Sequence, residues 1–234
     1  MKKCYFLCLF MLLSGWANAQ NKEIVEAKSG EKLDDKISTH MQYLLPEFTD
    51  GYVFLKGMPQ SPEKLNYNML HGEMHFINPE NMVLAVGNIS DVIMITIAGR
   101  KFFPYNNSEF VEELLATNKM QLQVRRKGNI ASYSKKGAYG TNSSTSSITS
   151  INSFDDSNRT YNIDVTENVM VSLHNFYYLV VKGKRIQIKN QKTFTKQFPK
   201  HVTQIETFVK KQNIRFDNEE NLKELVNYCS VKLN

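Results

Sequence analysis

The amino-acid sequence predicts an α+β fold built on a mostly antiparallel β sheet, curled into a sandwich or a roll. Short apolar and aromatic runs recur between Gly51 and Phe198, and glycine, proline or asparagine separates most of them. One helical stripe of apolar residues lies near the middle of the chain, and two more follow at its C-terminal end. Strands followed by a helical pair are typical of the α+β class.

Residues 1–19 are typical of a secretory signal peptide. Two lysines precede the apolar run Cys4–Leu13, and Ala17-Asn18-Ala19 forms a small-residue cleavage site. The run is shorter than the roughly 20 residues that span a bilayer. We therefore expect a periplasmic or secreted protein whose mature chain, residues 20–234, forms one mainly-β domain without a transmembrane span.

The first half of the mature chain is predicted to form a meander of antiparallel strands. The strand Asp91–Ala98, which is rich in isoleucine and valine, should be central in the meander. It should be buried on both faces, because apolar side chains occupy both of them. The predicted strands are Gly51–Lys56, Leu65–Asn78, Met82–Val86, Asp91–Ala98 and Lys101–Tyr105.

One helix is predicted before these strands and one after them. Ser108–Thr117 is expected to be the internal helix, because Phe110, Val111, Leu114 and Leu115 fall on one helical stripe. Spacings of three and four between apolar residues also favour a short helix at Asp34–Leu45.

The second half begins with the alternating strand Lys119–Arg126 and then changes in composition. Nine of the thirteen residues from Thr141 to Ser153 are serine or threonine, so residues 140–158 are predicted to be a flexible loop. Strands are expected again at Arg159–Val165, Asn175–Lys182, Lys184–Lys189 and Thr193–Phe198, with a tight turn at Gly183.

A C-terminal helical pair is predicted over residues 199–230. Pro199 suits the first turn of one helix, and the pattern Asp217 to Glu220 resembles a capping box for the next.

Nucleophilic catalysis has little support in the sequence. The chain has no G-x-S-x-G motif, and many of its serines lie in the low-complexity stretch, where rigid positioning is not expected. Removal of the signal peptide leaves Cys229 as the single cysteine, so no internal disulfide can form. Cys229 lies on the apolar stripe of the last helix, which favours a buried, inert thiol.

The cluster His71, Glu73 and His75 is the strongest candidate for metal binding. Residues two apart on a strand share a face about 7 Å apart, so two neighbours could share a zinc ion but all three could not. A complete site would need a distant ligand such as His174. The alternative is a polar strand face exposed to solvent, and we expect no metal or cofactor.

A strongly basic segment offers a candidate binding surface. Between Lys182 and Arg215, ten lysines and arginines face a single acid, Glu206. Such asymmetry influences partners more than fold. Export argues against nucleic acid as a partner, and the segment instead favours anionic lipid, polysaccharide phosphates or an acidic envelope protein. The alternative is a solvated lysine-rich face. The candidate residues are Lys184, Arg185, Lys189, Lys192 and Lys196.

Two runs near the start of the mature chain and a later C-terminal pattern carry a resemblance to a known group of proteins. YLLPEFTDGYVFLKG at 43–57 with LNYNMLHGEMHF at 65–76, and the later FP…FVKKQNIRF…ENLKELVNYC, are similar to uncharacterised signal-bearing proteins of Bacteroidetes type. The resemblance covers most of the mature chain and implies an envelope or secreted location. It implies no activity and no site residues.

The sequence therefore favours a non-catalytic exported envelope protein that binds a protein partner or an anionic surface. A secreted hydrolase or metal-dependent enzyme, with a site assembled from distant residues, is the alternative. A deep pocket with converging polar groups would favour the enzyme, and a basic surface would favour the binding protein.

Export can be tested directly. We expect N-terminal sequencing of the protein recovered from its native compartment to begin at Gln20, because the small residues of Ala17-Asn18-Ala19 suit signal peptidase. An intact Met1 on the recovered protein would contradict the prediction.

Overall fold

A computed structural model describes residues 22–27, 32–132, 150–151 and 167–232. The fold is α+β and mostly antiparallel, which confirms the predicted class. The strands are β1 Lys22–Ala27, β2 Thr49–Leu55, β3 Ser61–Asn68, β4 Glu73–Ile77, β5 Val83–Ala85, β6 Val92–Ile97, β7 Arg100–Pro104, β8 Phe110–Ala116, β9 Met120–Ser132, β10 Ser150–Ile151, β11 Glu167–Val181 and β12 Lys184–Ile188. The helices are α1 Thr39–Gln42, α2 Gln191–Thr195, α3 Val202–Lys211 and α4 Glu219–Lys232.

All of these strands belong to one sheet. Its order is β1-β11-β9-β8-β7-β6-β2-β3-β4-β5, with β12 also paired to β11 and β10 to β9. The fifteen-residue β11 pairs with β1 along its first part, with β12 along its last part and with β9 along most of its length. The predicted strand at Asp91–Ala98 corresponds to β6, which lies inside the sheet between β7 and β2.

Two tight turns set the register of neighbouring strands. Ala98 and Gly99 join β6 to β7 with positive φ angles of 47° and 74°, and Lys182 and Gly183 join β11 to β12 with 51° and 73°. Two successive positive φ values match the twist of a two-residue hairpin. The predicted turn at Gly183 is confirmed.

The segment Leu65–Asn78 is a hairpin, so its prediction as one strand was wrong. β3 ends at Asn68, and the next four residues form a turn that closes at Gly72, with a φ of 75°. The side-chain oxygen of Asn68 accepts the backbone N–H groups of Leu70 and His71. This side-chain bonding ends the strand locally.

The same turn makes the sheet curl. The Gly128 N–H of β9 donates to the Leu70 carbonyl at 2.9 Å, and the Phe110 N–H of β8 donates to the Gly72 carbonyl at 2.7 Å. The Tyr67 hydroxyl, fully buried, donates to the Phe110 carbonyl at 3.0 Å. Strands far apart in the sheet order are thus joined across its concave face.

The core lies on that concave face. Tyr67, Met74 and Phe102 pack together under the curl, and α2, α3 and α4 cover the β9–β11–β12 end through residues such as Leu222 and Val226. A third cluster joins β1, α1 and Leu70 to β9 and β11. Leu70 and Met74 are buried as predicted, while Phe76 is half-buried.

The predicted internal helix at Ser108–Thr117 was wrong, because this stretch forms β8. Phe110 and Val111 are both fully buried although neighbours in a strand point to opposite faces. A register shift between Glu113 and Leu115 then breaks the alternation. Together the two effects give the apolar residues of β8 the spacing expected of one face of a helix.

Burial of β6 on both faces was also predicted wrongly. Val92, Ile95 and Ile97 are buried, but Ile93 is 51% exposed. The strand has one buried face, as is usual in antiparallel sheets.

The predicted strand at Thr193–Phe198 was wrong, because α2 occupies its first half. Asn190 and Thr193 form a reciprocal capping box, which outweighs the strand preference of the threonines and phenylalanines. At α4 the predicted box of Asp217 and Glu220 was also wrong, because the Asn218 side chain accepts the N–H of Asn221.

At the other end of the chain, the helix predicted at Asp34–Leu45 is reduced to α1 and a 3₁₀ turn at Leu33–Lys36. The C-terminal helical pair is confirmed, with Pro199 opening a 3₁₀ turn that leads into α3.

Some predictions fall outside the described residues. These are the signal peptide, the strand Arg159–Val165 and most of the loop 140–158, of which only Ser150–Ile151 is described, paired with Ile130–Ala131. None of the helices within the described ranges combines the length and the apolar character needed to cross a bilayer.

Gly51 in β2 provides a test of the packing. A Cβ atom there would lie 2.4 Å from the Ile97 side chain and 2.4 Å from the Thr96 carbonyl oxygen. We expect Gly51→Ala to lower the free energy of unfolding by about 3 kcal/mol through overpacking, measured by urea denaturation. Gly87→Ala is the matched control, since a Cβ there meets nothing within 4 Å. Equal unfolding midpoints for both variants would contradict this packing.

Candidate anion-binding surface

The lysines of the basic segment are presented to solvent. Lys184, Lys189, Lys192 and Lys196 are all exposed. Within the described part of the chain, none of the four forms an ion pair with a carboxylate. Their charges are therefore open to an external anion.

Local structure fixes three of these lysines close together. Lys192 and Lys196 stand one helical turn apart at α2, whose opposite side buries Phe194. Lys189 directly precedes the cap, and its N–H donates to the Thr193 hydroxyl at 2.9 Å. Lys184 lies at the far end of β12, roughly 15 Å away along the strand.

Arg185, the fifth predicted residue, differs from the lysines because it is held by the protein. Its Nε donates to the Gln123 side chain at 2.8 Å and its Nη2 to the Pro104 carbonyl at 3.3 Å. Its guanidinium lies 5.4 Å from the centre of the Tyr105 ring. Partial burial lowers the pKa of Arg185. The structure thus places Arg185 in a second, more ordered cationic group.

That group is a cation–aromatic ladder of Arg185, Tyr105, Arg125 and Phe176. The Arg125 guanidinium lies between two rings, 4.8 Å from the centre of Tyr105 and 5.0 Å from the centre of Phe176. Each such contact is attractive by about 0.5–2 kcal/mol, depending on desolvation. The ladder crosses β9, β11 and β12 on the sheet face opposite the helices, which we call the outer face.

Glu109 holds Arg125 of the ladder and the neighbouring Lys127 in place. This buried carboxylate accepts hydrogen bonds from Arg125 Nη1 at 3.0 Å, Lys127 Nζ at 2.5 Å and the Asn106 amide at 3.1 Å. Two cations share one carboxylate, which leaves this cluster with a charge of +1. The Nε atom of Arg125 is buried and has no hydrogen-bond partner among the residues that the structure describes.

A cavity of about 400 Å³ opens beside Phe176 on the outer face, lined by Lys127, Gly128, Asn129, His174 and Phe176. Lys127 pairs directly with His174 across β9 and β11, and Arg125 pairs with Phe176, so these side chains share a face. The Ser172 hydroxyl and His174 Nε2 lie 3.1 Å apart.

The histidines of the β3–β4 hairpin are placed in two separate pairs. His71 Nε2 lies 2.9 Å from Asp34, whereas His75 lies 3.0 Å from the Tyr43 hydroxyl and 3.4 Å from Glu73. Both imidazoles are largely buried. The predicted solvent-exposed face was therefore wrong, because the segment before β2 covers it. Within the described ranges, no three potential ligands come together to hold a metal ion.

A second cavity, about 520 Å³, borders this hairpin and is lined by Thr39, His40, Tyr43, Leu44, Leu45, Pro46 and Met69. Burial raises the pKa of Tyr43, so its phenol stays protonated at neutral pH. A neutral phenol bonded to His75 links α1 to the sheet, and it is a poor nucleophile.

The sequence indicated the lysines but not the outer-face cluster. Arg125, Lys127 and Asn129 alternate along β9, and Ser172, His174 and Phe176 alternate along β11, so each trio predicts a shared face. The period of two was visible in the sequence. The pairing register that brings the trios together was not.

Comparison with protein-family models, with curated proteins and with solved structures finds no match for this chain.

Cys229 allows a direct test of the buried-thiol interpretation. It is fully buried in the helical cluster, and burial raises the pKa of its thiol to about 12. At pH 8 almost no thiolate is present, so we expect a thiol reagent to label the native protein at least about 100-fold more slowly than the urea-unfolded protein. Rapid labelling of the native protein at this pH would contradict the assignment.

Proposed function

We propose that this protein is a non-catalytic exported protein whose basic segment binds a polyanionic surface of the cell envelope. The observation that carries the proposal is a group of exposed lysines that have no carboxylate partner within the described part of the chain, namely Lys184, Lys189, Lys192 and Lys196. From residue 182 to residue 205 the chain contains seven cations and no acid.

The energetics of this arrangement suit a surface more than a single small ligand. A lysine near an anionic surface contributes about 1 kcal/mol, so four together can hold a protein at a membrane. The attraction weakens as salt shortens the Debye length, which is about 10 Å at 0.1 M ionic strength. The capped α2 keeps part of the charge at a fixed position.

Export supports the choice of an envelope partner. The signal-like residues 1–19 direct the chain away from cytosolic nucleic acid and towards lipid phosphates and acidic polysaccharides. The exposed lysines would attract either polymer through the same charge.

Vesicle sedimentation tests the proposal. We expect the protein to bind vesicles with 30% phosphatidylglycerol at low salt, and to lose this binding at about 0.5 M salt because the charges are screened. Replacing Lys184, Lys189, Lys192 and Lys196 with glutamine should weaken binding at least about 100-fold, since each lysine contributes about 1 kcal/mol.

A matched variant controls for net charge. Glutamine at Lys56, Lys64, Lys101 and Lys232, which are also exposed, removes the same charge from other parts of the surface and should have a much smaller effect. Equal weakening of vesicle binding in both variants would mean that net charge alone, and not this group of lysines, determines the binding. Unchanged binding by the first variant would refute the proposal.

A further inference from the structure

The outer-face cavity beside the ladder has features of a specific binding site that the lysines alone lack. It combines an aromatic ring, an ammonium group, an amide and an imidazole around about 400 Å³. Ligand pockets are commonly about 300–1,000 Å³ and carry a few well-placed polar groups among apolar surface. We propose that this cavity binds one acidic sugar unit of an anionic polysaccharide.

The aromatic ring favours a sugar over a bare anion. Phe176 is half-buried, contacts the Arg125 guanidinium through its ring and also lines the cavity. A pyranose ring presents a row of C–H groups on one face, which can pack on an aromatic ring and bury apolar surface. A free phosphate or sulfate would leave the same ring without a partner.

The charge suits one carboxylate. Lys127 has three N–H donors and, among the described residues, uses one for Glu109, so two can bind a ligand. Arg125 and Lys127 against Glu109 give a charge of +1, which balances a single uronate group. Asn129 and His174 on adjacent strands add partners for sugar hydroxyls.

The site is held in place before any ligand arrives. Glu109 fixes Arg125 and Lys127, and the Gly128 N–H is hydrogen-bonded to the Leu70 carbonyl of the β3–β4 turn. Fixed side chains lose little conformational entropy on binding, which favours affinity.

The cavity is also close to the basic segment. Ile188 at the end of β12 pairs with Tyr177 of β11. Because the two strands are antiparallel, the next residue of the chain, Lys189, comes opposite Phe176. A polysaccharide with one unit in the cavity can therefore continue towards Lys189. This inference rests on the proposed function for attraction of the polymer, but its contacts are separate.

Calorimetric titration with trigalacturonic acid and with its neutral methyl ester tests the proposal. We expect the acid to bind at least about tenfold more tightly than the ester, because only the acid can pair with Lys127. His174→Ala and Phe176→Ala should each weaken binding of the acid at least fivefold. His174 is exposed, so its truncation should leave folding intact, as urea denaturation would verify.

Tyr52→Ala is the matched control, because it removes an exposed aromatic ring from another part of the sheet and should leave binding unchanged. Equal binding of acid and ester would overturn the proposal. So would unchanged affinity in both cavity variants, or displacement of the trisaccharide by equimolar inorganic phosphate, which would indicate a bare anion site.

A variant with glutamine at Lys184, Lys192 and Lys196, which keeps Lys189, separates this inference from the proposed function. We expect it to weaken adsorption to anionic vesicles at least about 100-fold. It should still bind the short trisaccharide within about threefold of the original protein, because those three lysines do not line the cavity. Trisaccharide binding without lysine-dependent adsorption would refute the proposed function alone. Lysine-dependent adsorption without trisaccharide binding would refute the cavity proposal alone.

Discussion

The contact between Leu70 and Gly128 is the constraint on which the curl of the sheet depends. The β3–β4 turn lies so close to β9 that a Cβ on Gly128 would sit 3.1 Å from the Leu70 Cα atom. A Cβ at this distance would be tighter than most ordinary contacts, so glycine favours the approach, which brings the Tyr67 hydroxyl to the backbone of β8. Gly128 also forms part of the cavity on the outer face. One residue therefore couples closure of the fold to the shape of the candidate site.

Two buried glutamates each organise a network of ion pairs, one on each face of the sheet. On the concave face Glu112 bonds to Arg100 at 2.5 Å and to Arg126, and Arg126 reaches Glu219 of α4 at 3.4 Å. On the outer face Glu109 organises the cations beside the ladder. Removing one partner from a buried pair commonly costs about 3–5 kcal/mol, because a charge is left without compensation. The first network attaches a helix to the sheet, and the second fixes Arg125 and Lys127 at the cavity proposed to bind a sugar.

The sequence predicts the class, most strands and the helical pair, because period-two alternation and turn residues are local signals. It fails where tertiary contacts outweigh local pattern. β8 looks helical because Phe110 and Val111 are both buried, and α2 looks extended until Asn190 is recognised as its cap. The exposed lysines follow from charge counting alone. The cavity does not, because its two groups of residues, 127–129 on β9 and His174 with Phe176 on β11, are 45 or more positions apart and only the strand register brings them together.

The three-residue strand β5 at the end of the sheet order has a consequence for how the molecule meets other chains. Its residues are all exposed, and Val83 and Leu84 are apolar. An open edge of this kind is a template for an added strand, and long, flat, apolar edges promote aggregation. Here brevity rather than charge provides the protection: three residues offer so few backbone groups that a foreign strand gains little by pairing with them. Lengthening β5, more than changing its side chains, would therefore promote strand pairing between this edge of the sheet and other chains.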